Sequence, residues 1–255
     1  MKAKKILFSP VVTVLAFILA VGLLLFSSVG GARAALTYFS ETYATQIKMD
    51  DIGVSLLENG ERVSWRDYNF EVADGSWDEN TGELLKNMLD KEAGEKLQIG
   101  RTYTEELSVS NSGTINQYVR VTVLKYWLNE KGEKAQEYSP AMIDLHLTNL
   151  DSAWLLDASA STTERTVLYY NRLLESGHTT PLFADTLTID EHILTQAYEV
   201  REGNTVRTVY TYDGVEFCIE AKVDAVQENN AEDAVLSAWG QNVVVDPVAG
   251  TLNLR

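Results

Sequence analysis

The stretch that follows Asp213-Gly214 alternates residue by residue. Val215, Phe217, Ile219, Ala221, Val223 and Ala225 share one parity, and Glu216, Cys218, Glu220, Lys222 and Asp224 share the other. Successive side chains of a strand point to opposite faces, so Val215–Gln227 reads as a long strand with one face buried and one wet. An apolar sheet face has to be covered by a second layer, which limits the chain to layered folds. Tyr118–Leu128 repeats the pattern, with Val119, Val121 and Val123 opposed to Arg120 and Thr122. Further strands are expected at Ile52–Leu57, Tyr103–Val109, Leu145–Asn149, Thr166–Tyr170, Leu182–Ile189 and Thr205–Tyr212. Turn signals separate them at Glu58-Asn59-Gly60, at Ser110-Asn111-Ser112-Gly113 and at Asp213-Gly214. Strands spaced in this way, without regular βαβ alternation, predict a mainly β fold: an antiparallel β-sandwich.

Two short helices are expected to cover the rim. In the first, Ala231, Ala234, Val235, Ala238 and Trp239 share one helical face, Asn230 stands at the N-cap, Asp233 completes a capping box and Gly240 is the stop. In the second, Gly82–Asp90, the apolar face is Leu84, Leu85, Met88 and Leu89. There is no internal repeat and no Gly-, Ser- or Pro-rich linker, so residues 35–255 are expected to form a single domain.

The N-terminal 34 residues follow other rules. Lys2, Lys4 and Lys5 precede a stretch from Ile6 to Ala32 with no charged residue, and Ala32-Arg33-Ala34 then has the small-x-small form that a signal peptidase reads. The expectation is a hydrophobic signal-peptide helix at 1–34, cleaved after Ala34. The apolar run Val11–Val29 is long enough to span a bilayer, so an uncleaved anchor is the competing reading. In either case the membrane is met only through this segment.

Charge narrows the partners. The whole chain carries −16. The first 34 residues hold four of the 21 basic residues and no acid, which leaves 17 bases against 37 acids, or −20, on the remainder. So negative a surface repels phosphate backbones, and nucleic acid is not expected as a partner. The single cysteine, Cys218, excludes an intramolecular disulfide and reads as a small strand residue.

Signatures of catalysis are scarce. His146, His178 and His192 stand in no H-E-x-x-H arrangement, no G-x-S-x-G elbow occurs, and Cys218 has no nucleophile signature around it. No catalytic residue and no metal ligand is expected. Asp74–Glu83 resembles a calcium loop, but in a register starting at Asp78 it places Gly82 and Glu83 at the wrong positions. It reads as a polar turn before the Leu84 helix, able to hold at most a weak surface Ca²⁺; Asp50-Asp51 supports even less. No other cofactor is expected. Tyr169-Tyr170 and Tyr210-x-Tyr212 can be read as a carbohydrate platform or, by default, as half-buried tyrosines of a sandwich.

Four stretches together resemble a group of exported proteins of Gram-positive bacteria. They are the lysine-rich start and apolar run ending Gly30-Gly31-Ala32-Arg33-Ala34 before Leu36-Thr37-Tyr38-Phe39; Asn111-Ser112-Gly113 running into Tyr118-Val119-Arg120-Val121; Thr166-Val167-Leu168-Tyr169-Tyr170 leading to Gly177-His178-Thr179-Thr180-Pro181-Leu182-Phe183; and Ala225-Val226-Gln227 before the helix ending Ala238-Trp239-Gly240. The group is that of the SipW-dependent, or alternate signal-mediated, exported proteins, the TasA and camelysin relatives. The resemblance implies a jelly-roll β-sandwich, secretion by a dedicated signal peptidase, and residence in the extracellular matrix or at the cell surface. It also implies fibres in which an N-terminal strand of one subunit completes the sheet of the next. In this chain Leu36, Tyr38 and Ile47 are the candidate residues of that assembly strand. The camelysin branch carries a peptidase label, which the lack of a zincin motif does not support here.

The leading expectation is therefore an exported structural protein that self-associates, alone or with other surface or matrix proteins. The alternative is an adhesin-like binding module for glycan, cell wall or host protein. Cleavage by signal peptidase requires small side chains, so Ala34→Leu is expected to leave a membrane-bound precursor about 3 kDa heavier than the secreted form. Immunoblots of cell and medium fractions check this; a mutant secreted normally from Ala35 contradicts the cleavage assignment.

Overall fold

The computed structural model describes residues 14, 17, 52–69, 76–86, 88–89, 95–202, 205–212 and 214–255. The chain divides into two compact units, Met1–Lys48 and Met49–Arg255. In the first, Val14 and Phe17 are helical and exposed. Ala32, Ala34, Leu36, Tyr38, Ile47 and the pair Asp50-Asp51 lie outside the described residues. No described helix is long and apolar enough to cross a membrane.

The second unit is mainly β, with antiparallel sheets and few helices. Its larger sheet has six strands in the order β3-β2-β1-β4-β9-β6: β1 is Gly53–Glu58, β2 Glu61–Asn69, β3 Ser76–Asn80, β4 Thr102–Asn111, β6 Ile143–Leu147 and β9 Ala184–Ile189. Its smaller sheet has four in the order β12-β5-β8-β7: β5 is Gln117–Leu128, β7 Trp154–Leu156, β8 Arg165–Tyr170 and β12 Glu216–Gln227. Two hairpins stand apart, β10 (Ala197–Glu202) with β11 (Thr205–Tyr210), and β13 (Val243–Asp246) with β14 (Thr251–Leu254). The helix α1 spans Ala231–Trp239.

The pairing is nested. β7 pairs with β8, β6 with β9, and β5 with β12, all antiparallel, so each pair encloses the one before it in sequence and lies in the other sheet. Alternation of faces then builds one shared core. Leu56, Leu107, Val109, Ile143 and Leu187 of the larger sheet join Val119, Val121, Val123, Leu168, Trp154 and Ile219 of the smaller one. Trp154 is fully buried, edge-on to Phe183 at 5.5 Å, and its Nε1–H donates to the Pro181 carbonyl at 3.0 Å. The outer face of the smaller sheet carries a second cluster, in which Tyr118, Val167, Tyr169 and Val226 meet Ala231 and Val235 of α1 and Val243 and Leu252 of the β13–β14 hairpin. β5 thus meets the main core on one face and, through Tyr118, the second cluster on the other, where Arg120 pairs with Asp224.

The crossing from β4 to β5 is fixed by buried polar groups, each of them paired. Asn111 Nδ2 donates to the carbonyls of Ile115 (2.8 Å) and Leu174 (2.9 Å), while its Oδ1 accepts from Gly113 N–H. Asn111 and Gly177-His178 exchange backbone hydrogen bonds, which joins two of the short motifs singled out in the sequence.

The expected strands all form, with ends shifted by no more than two residues, and β12 packs on the core with the parity read from its sequence. Six strands were not anticipated: β2, β3, β7, β10, β13 and β14. Three expectations are corrected. Gly82–Asp90 is not a helix where it is described: Leu85 has φ of 64°, and residues 84–86 form a turn with a bend at 88–89. A Cβ on Gly82 would lie 1.7 Å from the Val63 carbonyl oxygen, so the chain passes flat against β2 there and has no room for a helical turn. Ser76–Asn80 is a strand rather than a polar turn, paired with Trp65–Asn69. Asn230 is left-handed (φ 52°) and its side chain makes no cap; Glu232, not Asp233, is the acid of the first turn that takes a backbone donor, Val245 N–H at 2.8 Å. The Gly240 stop forms, with its N–H bonded to Leu236 O. Ala238 is exposed and Trp239 half-buried, its ring 5.6 Å from Tyr169 and 5.1 Å from the Arg120 guanidinium.

These burials separate two tryptophans. Trp154→Ala is expected to cost about 3–5 kcal/mol, the range for deleting a buried large aromatic. Trp239→Ala is expected to cost about 1–2 kcal/mol, because part of its surface stays wet and it loses mainly ring and cation–π contacts. Urea denaturation of both variants checks the order; equal losses contradict it.

Candidate functional site

The two sheets are unequal, and the site follows from that. β1 faces β12 across the core, while β2 and β3 continue the larger sheet beyond it. Among the described residues no strand of the smaller sheet lies opposite β2. Among the described residues β12 is the outer strand of the smaller sheet and pairs only with β5. At 12 residues it is the longest free edge, against five for β3, five for β6 and three for β7. An open edge presents unpaired N–H and C=O groups, and natural edges are blunted by charge. β12 carries Glu216, Glu220 and Lys222 exposed on its outer face.

Beneath that edge lies a cleft of about 1130 Å³. One wall is the inner face of β12, with Phe217, Ile219 and Val223; the other is Val54, Leu56, Val63 and Trp65 of β1 and β2. Leu84, Leu85 and Met88, half-buried against the main core, line it from the turn that follows β3. That turn is held at two points. Gly82 rests on the main chain of Val63. Leu85 N–H donates to Glu58 Oε1 at 2.6 Å.

Glu58 has a second acidic neighbour. Glu105 of β4 is 1% exposed, and no N–H or O–H group of another residue reaches either of its carboxyl oxygens. Burial first, and then the charge of Glu58 and a hydrogen bond shared with it, raise the Glu105 carboxyl from 4.5 to about 8. At neutral pH Glu105 is therefore the protonated partner of an acid–carboxylate pair. The sequence carries a signal for it that the strand reading passed over: Tyr103, Glu105, Leu107 and Val109 share the inward parity of β4, and all four are buried.

The residues weighed for chemistry do not converge. His146, His178 and His192 are exposed, and each lies beside its own carboxylate, Asp185 (2.7 Å), Glu175 (3.8 Å) and Asp190 (2.6 Å). Hydrogen bonds to Asp185 and Asp190 raise the first and last of these imidazoles above their usual range. Among the described residues no group of three or more His, Cys, Asp and Glu side chains is placed to hold a metal. The tyrosines form no common platform. Tyr169 is buried under α1, Tyr170 packs on Trp154 at 5.4 Å on the opposite face, and Tyr212 meets Trp127 and Tyr138, each at 5.0 Å. The Tyr210 side chain lies outside the described residues. Cys218 is a half-buried strand residue of β12 opposite Tyr126, whose hydroxyl donates to Glu220.

Comparison with family models, with curated proteins and with solved structures finds no match.

The raised Glu105 carboxyl makes stability depend on pH with a definite sign. Between its ordinary value of 4.5 and about 8 the folded state holds a proton that the unfolded chain releases. The contribution is complete below about pH 4.5 and is lost as pH rises toward 8, by up to about 1.4 kcal/mol per pH unit. The raised His146 and His192 act with the same sign in an overlapping window, so the comparison needs a variant. Glu105→Gln is expected to flatten most of the slope between pH 5 and 8 in urea midpoints. An unchanged slope contradicts the assignment of the proton to Glu105.

Proposed function

We propose that this chain is an exported structural protein of the cell surface or biofilm matrix, released by signal peptidase after Ala34, that self-assembles by strand addition. The observation that carries the reading is the long free edge of β12 above an apolar cleft with no strand opposite β2. A strand laid along β12 would satisfy that edge and cover Val63 and Trp65 at the same time. The nested strand pairs, alternating between sheets, support a jelly-roll description of the sandwich.

The occupant on this reading is the mature N-terminal segment of a second copy. Ala35–Ile47 is 13 residues, and the β12 edge is 12. At ~3.3 Å per residue both extend to ~40 Å, so one segment spans the edge. Leu36 and Tyr38 share one parity and would face the cleft together; Ile47 stands on the other parity and would do so only beyond a bulge in the added strand. Strong negative charge opposes the encounter, because each mature subunit carries −20.

Assembly is therefore expected to be slow at low salt and faster as screening lengths fall from ~30 Å at 0.01 M to ~10 Å at 0.1 M. Removing Ala35–Ile47 is expected to abolish fibres and leave a folded, soluble domain. Light scattering and electron microscopy of both forms across a salt series decide it. Fibres that persist without the segment contradict the reading, as does a full mature protein that stays monomeric at every salt concentration.

A further inference from the structure

The pair Glu58–Glu105 lies where a structural core gains nothing from it. Two carboxyls are buried side by side at the rim of the sandwich, one at the end of β1 and one in the bulged part of β4, where register is lost between Thr104 and Leu107. Replacement of both by apolar residues would remove a desolvation cost. What the pair does contact is the turn that lines the cleft, through Glu58 and Leu85 N–H. That turn is otherwise weakly held. Leu85 is a non-glycine residue in the left-handed region, a conformation disfavoured without a specific partner. Leu84, Leu85 and Met88 are only half-buried.

We infer that Glu58, Glu105 and the turn at Leu84, Leu85 and Lys86 form a proton-held latch over the cleft, closed while one proton is shared between the two carboxyls and released when that proton leaves. The inference rests on the strand-addition reading for its purpose, and on the geometry alone for its operation. With the proton present, Glu105 donates to Glu58, and Glu58 is free to accept from Leu85 N–H. When the proton passes to water or buffer base, two adjacent buried carboxylates repel each other with little solvent between them. Glu58, 7% exposed against 1% for Glu105, is the one nearer water and moves out. Leu85 then loses its partner, and the turn lifts from the space opposite β2 into which an added strand has to enter.

The surrounding groups leave this pair in charge of the titration. On β4, the Tyr103 hydroxyl accepts from Gln98 N–H and Glu106 is exposed. On the turn, Glu83 and Lys86 are exposed. On the stretch that leads into β4, Lys96 is exposed, Glu95 pairs with Arg101, and Leu97 and Ile99 pack on the core. Glu58 is the one ionisable group whose charge moves Glu105 appreciably, and the release falls near pH 8.

The test is amide hydrogen exchange on the full mature protein from pH 6 to 10, corrected for intrinsic base catalysis. Leu85 is expected to lose protection as pH rises toward about 8, by up to about tenfold per pH unit, and to level off above it, while Val121 in the core stays protected. Glu105→Gln, whose amide can donate to Glu58 at every pH, is expected to keep Leu85 protected throughout. Should that variant fail to fold, carboxyl carbon NMR of the wild type reads the proton directly, and Glu105 titrating in the ordinary carboxylate range overturns the latch. So does Leu85 protection that is independent of pH. Assembly rates on the same samples separate the two claims. Opening at Leu85 with faster fibre growth supports the latch as a gate. Opening with fibre growth that ignores pH overturns the gate. Opening with no fibres at any pH counts against strand addition and leaves the proton-held turn standing.

Discussion

The twelve-residue ladder between β5 and β12 organises the molecule. β5 is the central strand in every sense: paired on both edges, covered by the larger sheet on one face and by α1 and the β13–β14 hairpin on the other. Its burial on both sides fixes its register, since a slip of one residue would turn Val119, Val121 and Val123 away from the core. β12 inherits that register along its whole length but among the described residues has a neighbour on one side only. The most strongly specified pairing in the fold thus ends in its most open edge. Because the larger sheet runs on past this edge through β2 and β3, the opening is not a flat rim but a cleft with two apolar walls.

Charge sits on that opening, while the proton chemistry is buried behind it. The outer parity of β12 carries Glu216, Glu220, Lys222 and Asp224, charges that discourage casual pairing with other edges. A net charge of −20 on residues 35–255 does the same at longer range. The buried acids Glu58 and Glu105 act at the inner side of the cleft, through the backbone of Leu85. Each device weakens association or slows access without strengthening the fold, which fits a surface kept for a particular occupant better than an incidental defect of packing.

Much of the fold was legible because period and burial agree. β4, β5 and β12 alternate, and their inward parities are the ones that pack on the main core. The α1 stripe was legible for the same reason, although its cap was not: a left-handed Asn230 and a Glu232 that reaches Val245 depend on the hairpin folding back, which no local signal encodes. β2 and β3 were missed because polar residues dominate them; their strand character comes from extending a sheet edge, not from covering a core. Leu84, Leu85, Met88 and Leu89 carry a helical period, but Gly82 pressed on Val63 and the αL turn at Leu85 override it. The cleft itself has no sequence signature, since it arises from a mismatch in strand number between two sheets. Glu105 did have one, a charge at an inward position between Tyr103 and Leu107.

The central claim is that the N-terminal segment of one copy lies along β12 of another, and the single native cysteine allows it to be read directly. Cysteines placed one at a time by Thr37→Cys, Phe39→Cys and Ile47→Cys, which share the outward parity with Cys218 when Leu36 and Tyr38 face the cleft, in a Cys218→Ser background, each mixed with wild-type protein under assembly conditions and oxidised, report which positions come within disulfide reach of Cys218. The account predicts a cross-linked pair of unlike subunits, strongest for one of the three positions and absent when β12 is blocked by Ile219→Pro. Fibres that grow with no cross-link to Cys218 from any of the three positions would contradict it.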